Sequence, residues 1–253
     1  MPKPPVQIGP SGFLAIRRIA APMTQFQVLG ERGSGTNLLR KSIEKNLHIA
    51  RTEGLGWKHG FPRMVAIPEG LLVICIVRNA ADWARSMYKR PWHVHPDLQQ
   101  LDFAGFIRHE WISIVDRPAD FEMIHPEMEV TGAVLQMDRH PITGCAFENL
   151  FALRTAKLRA LAGMANRERN VVFLRMEAFT ADPGGMLEKL SEAFEIEKKP
   201  PFYKPVLRRL GTRFRAATDA RPAPPDPLPE ADRAFMLAHL DAELEASFGY
   251  TYD

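Results

Sequence analysis

Short apolar runs, each followed by a stretch with helical spacing, dominate the hydrophobic pattern of this 253-residue chain. Such runs lie at residues 26–30, 71–77 and 170–176, and the run LLVICIV at 71–77 is typical of a parallel strand covered on both faces. The helical spacing recurs at residues 38–47, 81–88, 147–162 and 183–194. Because strands that alternate with helices form parallel sheets, we predict an α/β fold with a mainly parallel sheet and helices on both faces.

Two later segments depart from this alternation. Residues 91–145 are rich in His, Trp, Pro and Met and contain one predicted helical stretch near 103–115. We interpret them as an insertion over the sheet edge that shapes a substrate pocket. The sequence RPAPPDPLP at 221–229 predicts an extended connector, because proline interrupts helices and central strands. A terminal helix is predicted over 230–248, and we expect a single domain over residues 1–253.

Composition and charge narrow the protein class only a little. The net charge of +3 does not indicate nucleic acid or an anionic membrane as a partner. The two cysteines are Cys75, within the apolar run at 71–77, and Cys145, so a disulfide framework is not expected. The first residues show no secretory signal, and no apolar run approaches the roughly 18 residues of a membrane helix. We expect a soluble, cytoplasmic protein, whose oligomeric state stays open.

The sequence GERGSGTN at residues 30–37 predicts an anion-binding loop between a strand and a helix. Its glycines permit a turn with inward-pointing amides, and the next helix begins with free N–H groups. Gly30 and Gly35 have the spacing of the nucleoside-triphosphate loop GxxxxGK[ST], but Thr36 replaces its lysine and Asn37 its magnesium-binding hydroxyl. Metal-dependent phosphoryl transfer is therefore disfavoured. Alone, such a loop fits a purely structural turn equally well.

A second candidate phosphate contact follows the apolar run at 71–77. Arg78 ends this run, and Ser86 follows eight residues later on the predicted helix. An arginine offers a planar, permanently charged fork to a phosphate, and a serine hydroxyl two turns along the helix can complete the pocket. Taken singly, an arginine at the end of a strand is more often solvated or salt-bridged.

Together, the two elements resemble the family of sulfotransferases that use 3′-phosphoadenosine 5′-phosphosulfate (PAPS). The SGT core at Ser34, Gly35 and Thr36 is similar to the family's 5′-phosphosulfate loop, and Arg78 with Ser86 to its 3′-phosphate motif. The closest similarity is to a subgroup with GERxSGTN and WKH sequences. The resemblance covers about residues 26–196, is poor in the insertion, and implies a P-loop-like sulfotransferase fold that transfers a sulfuryl group from PAPS to a hydroxyl or amine.

The resemblance also implies a set of site residues. Donor contacts are expected from the loop and the 3′ motif, with adenosine 3′,5′-bisphosphate as product and no metal; these residues are Arg32, Gly33, Ser34, Gly35, Thr36, Asn37, Arg78 and Ser86. Two departures are Gly33, where many members have a cation, and Ala80, where proline is common. Which cation contacts the sulfate-bearing end therefore stays open.

His59 in GWKHG is the first candidate for the base that takes the acceptor's proton, since an ordinary histidine pKa near 6.5 suits this role. Lys58 is the candidate that stabilises the leaving oxygen, and His93 is the reserve base. A basic stretch, residues 208–215, is similar to a nucleotide-closing loop but fits a solvated cluster better. The acceptor, a small molecule or glycan, is not identified. A P-loop kinase and an inactive nucleotide-binding module are the alternatives.

Overall fold

One five-stranded sheet organises the computed structural model, which describes residues 6–125, 127–167, 170–207, 214, 216–217 and 221–252. Within these residues the strand order is β1-β5-β4-β2-β3. All neighbouring pairs are parallel except β1 and β5, which pair antiparallel at the edge. The strands are β1 (Phe13–Arg17), β2 (Gln25–Leu29), β3 (Ala50–Arg51), β4 (Leu71–Val77) and β5 (Asn170–Arg175).

Ten α-helices connect or cover these strands in the described part of the chain. They are α1 (Thr36–Asn46), α2 (Ala80–Lys89), α3 (Pro96–Gln100), α4 (Phe103–Arg108), α5 (Leu150–Ala162), α6 (Met164–Arg167), α7 (Met176–Ala181), α8 (Pro183–Phe194), α9 (Glu230–His239) and α10 (Ala242–Ser247). Within the same residues, every helix is too short or too polar to cross a lipid bilayer.

Alternate residues of the buried strand β4 face two separate cores. Val73 and Cys75 pack into one core with apolar residues of α5 and α10. Leu72 and Ile74 pack into the other with apolar residues of α1 and α8. This alternation follows from the period-two geometry of a strand. The predicted α/β class, with a mainly parallel sheet covered on both faces, is therefore confirmed.

Local capping explains where several helices begin. The Asn79 side chain accepts hydrogen bonds from the first amides of α2, and Asn149 does the same for α5. Asp182 caps α8 with Pro183 at the first helical position, and α8 spans the predicted residues 183–194. The Asn79 cap places the start of α2 two residues after Arg78, which itself follows the end of β4.

Several elements differ from the sequence-based expectation. The edge strands β1 and β3 were not predicted. The helical stretch expected near 103–115 ends at Arg108, because the following backbone turns extended and Trp111 pairs with Phe147 in an antiparallel bridge. The expected terminal helix is divided into α9 and α10, since Leu240 is extended and Asp241 caps the second helix. Residues 221–229 form neither helix nor strand.

Candidate active site

The loop at residues 30–37 connects β2 to α1 through two glycines in the left-handed region. Gly33 has φ 79° and Gly35 has φ 89°, conformations that side chains disfavour. Gly35 occupies the N-cap position of α1 and provides no side-chain cap. The backbone amides of Gly33, Gly35, Thr36 and Asn37 donate to no described residue. The loop thus keeps a group of donors at the positive end of a helix, as an anion site requires.

The Ser34 hydroxyl of the SGT core serves the loop itself. Ser34 is fully buried, and its Oγ donates to the Glu31 carbonyl oxygen at 2.6 Å. Thr36 is also buried, whereas Gly33 and Asn37 are exposed. The surface that the loop offers to a ligand is therefore mainly backbone.

Arg78 and Ser86 meet this loop at Gly33. The Arg78 guanidinium donates to the Gly33 carbonyl oxygen at 3.0 Å. A Cβ placed on Gly33 would lie only 3.0 Å from Ser86 Oγ, so α2 packs closely against this glycine. Trp83 of the same helix donates from Nε1 to the Arg32 carbonyl oxygen at 2.8 Å. The two predicted phosphate elements are adjacent in space, although about 45 residues separate Gly33 from Arg78.

The GWKHG segment lies on the other side of the loop, at Gly30. The Gly30 amide donates to the Lys58 carbonyl oxygen at 3.0 Å, and the Gly30 carbonyl oxygen lies 2.7 Å from His59 Nδ1. Because a carbonyl can only accept, this contact assigns the proton to Nδ1 and leaves a lone pair on Nε2. Nε2 forms no hydrogen bond with a described residue. His59 is thus oriented as a neutral imidazole with one free acceptor.

Both residues predicted for the chemistry have perturbed pKa values. Burial, followed by the charge of Lys58, lowers the pKa of His59 well below its ordinary value; the Gly30 hydrogen bond only partly opposes this. Burial also lowers the pKa of Lys58, against the raising effect of Glu53. His59 is therefore unprotonated at neutral pH, and it is a weaker base than the ordinary pKa near 6.5 would make it.

His93, the reserve base, lies in a different environment. It is only 2% exposed, its Nδ1 is 2.5 Å from Asp116 Oδ1, and its Nε2 is 3.4 Å from Asp120 Oδ2. Burial lowers its pKa, but the interactions with the two nearby carboxylates outweigh burial, so the net shift is upward. Trp57 separates the two histidines, with ring centroids 5.2 Å from His59 and 5.7 Å from His93. The pKa of His59 is thus lowered, whereas the pKa of His93 is raised.

Arg32, predicted to contact the donor, is buried and bound to other groups. Its guanidinium donates to the Asp138 carboxylate and, at 2.5 Å, to the Trp92 carbonyl oxygen. It also lies 5.8 Å from the Trp57 ring centroid. Only 5% of Arg32 is exposed. The described contacts of this side chain are therefore with other protein groups, most of them in the insertion.

Several buried charges near the loop escaped the sequence-based prediction. Arg154 and Lys157 of α5 are both buried. Their partners include Glu31, Asp138 and Glu245, which are also buried. The signal available in the sequence was the presence of cations in a largely apolar helix, with Arg154 and Lys157 three residues apart and Arg159 two further on.

The remaining predictions concern the basic stretch and metal binding. Residues 208–215 lie outside the described residues apart from Phe214, which contacts the ring of Trp92. Among the described residues, no group of three or more His, Cys, Asp or Glu side chains is arranged to hold a metal ion.

Comparison of the chain with protein-family models, with curated proteins and with solved structures gives no match.

Proposed function

We propose that the chain is a PAPS-dependent sulfotransferase with a P-loop-like fold, in which the 30–37 loop, Arg78 and Ser86 bind the donor. One observation carries the proposal: Arg78 donates a hydrogen bond to Gly33 of the loop, and Ser86 lies beside the same glycine. A ligand with two separate phosphate-type groups would find one set of donors on the loop amides and a second at the end of β4. A nucleotide that carries a phosphosulfate and a 3′-phosphate has this arrangement of charge.

The residues fit such a donor in chemistry as well as position. The amides of Gly33, Gly35, Thr36 and Asn37, which have no acceptor among the described residues, would bind the 5′-phosphosulfate. Arg78 would bind the 3′-phosphate with a charge-assisted hydrogen bond, and the half-buried Ser86 hydroxyl would add another. The missing loop lysine and magnesium-binding hydroxyl make the same loop a poor site for magnesium-ATP.

In the proposed reaction, His59 accepts the proton of the acceptor hydroxyl or amine at Nε2. The acceptor atom forms a bond to sulfur, the bond from sulfur to the bridging oxygen breaks, and the electron pair stays on the 5′-phosphate of the bisphosphate product. Lys58 offers a positive charge for that oxygen. His59 suits the base role better than His93, because His93 is enclosed and lies between two carboxylates that favour its protonated form.

Calorimetry with adenosine 3′,5′-bisphosphate, with and without magnesium and alongside ATP, tests the donor site. We expect metal-independent binding, and a loss of about tenfold or more in affinity in Arg78→Ala, since a hydrogen bond to a charged group contributes roughly 1.5–3 kcal/mol. Arg167→Ala, which removes an exposed arginine of α6, is the matched control and should bind like the wild type. A preference for magnesium-ATP would instead favour a kinase.

Transfer to a panel of phenols, sugars and amines, with PAPS as donor, tests the chemistry. We expect His59→Ala to lose transfer while it still binds the bisphosphate. A wild-type chain that binds the bisphosphate but modifies none of the panel would favour an inactive nucleotide-binding module. Normal transfer by His59→Ala would rule out His59 as the base.

A further inference from the structure

A buried carboxylate connects the loop to the insertion and to helix α5. Asp138 is 1% exposed and accepts hydrogen bonds from Arg32 of the loop, from Lys157 Nζ at 2.5 Å and from Ser113 Oγ at 2.5 Å. Lys157 also donates from Nζ to the His59 carbonyl oxygen at 2.6 Å. One ammonium group thus bridges the carboxylate that holds Arg32 and the backbone of the candidate base.

The neighbouring loop residue is held by the same helix. Arg154, three residues before Lys157, donates to Glu31 Oε2 at 3.0 Å and to both Glu245 oxygens at 2.7 and 2.9 Å. It also donates to the Arg78 carbonyl oxygen at 2.8 Å. Side chains three residues apart lie on one face of a helix, so a single face of α5 contacts Glu31, Asp138, His59 and the end of β4.

Stability alone is a weak explanation for this arrangement. Transfer of charges from water into the interior costs several kcal/mol per ion, and well-packed apolar residues of similar volume are often as stable or more stable. A buried network does, however, fix the direction of each member, because every donor and acceptor must be satisfied. Here the network includes Glu31 and Arg32, which lie between Gly30 and Gly33 of the loop, and the backbone carbonyl of His59.

We infer that α5 is a positioning element of the active site, in which Lys157 and Asp138 hold the donor loop and His59 in fixed relation to each other. The inference rests on the proposed function for the role of His59, but the contacts themselves do not. Lys157 and Asp138 are positioning residues, because neither contacts the groups proposed to react.

The charges around His59 predict what removal of Lys157 does. Burial is the first cause of the lowered pKa of His59, and the cations Lys58, Arg32 and Lys157 lower it further. Asp138 lies beyond Lys157 and Arg32, and His93 lies across Trp57. Lys157→Met leaves Arg32 and Asp138 as a neutral buried pair and removes one of the three cations.

NMR titration of the histidine ring signals in the full chain tests the inference. In Lys157→Met we expect an upward shift of the His59 titration midpoint and a smaller fraction of the Nδ1–H tautomer. The control Lys189→Met removes an exposed lysine of α8 and should leave both unchanged. The His93 signal, which lies behind Trp57, should move less than that of His59.

Asp138→Asn provides a second variant with the opposite charge change. It leaves two buried cations without their carboxylate, so we expect the His59 midpoint to fall further or, if the variant unfolds, a loss of the dispersed spectrum that Lys157→Met retains. An unchanged His59 midpoint and tautomer in folded Lys157→Met would overturn the inference. This result is independent of donor binding: a wild-type chain that does not bind adenosine 3′,5′-bisphosphate contradicts the proposed function alone.

Discussion

Replacement of Glu31 by glutamine measures the cost of a carboxylate buried under the loop. Glu31 is 3% exposed, Arg154 binds its Oε2, and its Oε1 has no hydrogen-bond partner. Burial raises the pKa of Glu31 to about 7, because the attraction of Arg154 does not offset the desolvation and the repulsion from Glu245. The ordinary value of this carboxyl is 4.5. The folded chain therefore holds a proton on Glu31 over a range in which the unfolded chain has lost it.

The sign of the effect follows from linkage. A group whose folded pKa is raised contributes stability that is fully present below its unfolded pKa and is lost as the pH rises through its folded pKa. At roughly 1.4 kcal/mol per pKa unit, the free energy of unfolding should fall by about 2 to 3 kcal/mol between about pH 5 and pH 8 through this group alone. Glu31→Gln cannot titrate and lacks this contribution.

Urea unfolding of the wild type and of Glu31→Gln across this pH range is the appropriate assay. Glutamine also changes packing and hydrogen bonding, but by an amount that does not depend on pH. The change with pH in the difference between the two free energies of unfolding therefore isolates the titration of Glu31. We expect the variant to gain about 2 to 3 kcal/mol relative to the wild type from pH 5 to pH 8. Glu192→Gln, an exposed position of α8, serves as control. Parallel wild-type and Glu31→Gln curves would refute a raised pKa at Glu31.

Two further predictions concern glycine and tyrosine contacts. Gly33→Ala should weaken binding of adenosine 3′,5′-bisphosphate at least tenfold in calorimetry, because a side chain is strained at its φ of 79° and the methyl group, 3.0 Å from Ser86 Oγ, would push the loop and α2 apart. Gly132→Ala, also at positive φ but in open space, should bind normally, and equal affinities would contradict the packing argument. Tyr252→Phe should lose about 1 to 3 kcal/mol in urea unfolding, because its hydroxyl accepts from the first amide of α2 at 3.1 Å and donates to a buried carboxylate at 2.7 Å. Tyr203→Phe is the control, because the Tyr203 hydroxyl has no hydrogen bond among the described residues. It should leave the free energy of unfolding nearly unchanged, and a similar loss in both variants would refute the contribution of the Tyr252 hydrogen bonds.

The sequence predicts the centre of the sheet better than its edge. The run at 71–77 coincides with β4, because a strand covered on both faces leaves an uninterrupted apolar signal. The edge strand β1 contains only the short apolar run FLAI, is half-buried throughout and pairs antiparallel, so no crossover helix follows to indicate it. Edge strands depend on a neighbour that local sequence does not identify.

The candidate site likewise contains some residues that a local sequence pattern locates and others whose surroundings depend on distant parts of the chain. The loop, Arg78 and Ser86 could be located because each lies at the end of a strand or on the helix that follows it. The environment of Arg32 could not, since Asp138 is 106 residues away and Lys157 a further 19. Such pairings depend on the tertiary arrangement and have no local pattern. The same is true of the lowered pKa of His59, whose first cause is burial.

The contact between Gly33 and α2 has a further consequence for selectivity in the proposed function. Gly33 belongs to the loop, yet its carbonyl oxygen accepts a hydrogen bond from Arg78, and Ser86 of α2 lies beside it. The separation between the two proposed anion positions is therefore set by the packing of the loop against the start of α2. Such a site selects nucleotides by the distance between their two charged groups. A nucleotide with a different spacing can bind at one of the two positions, but it cannot gain the binding energy of both.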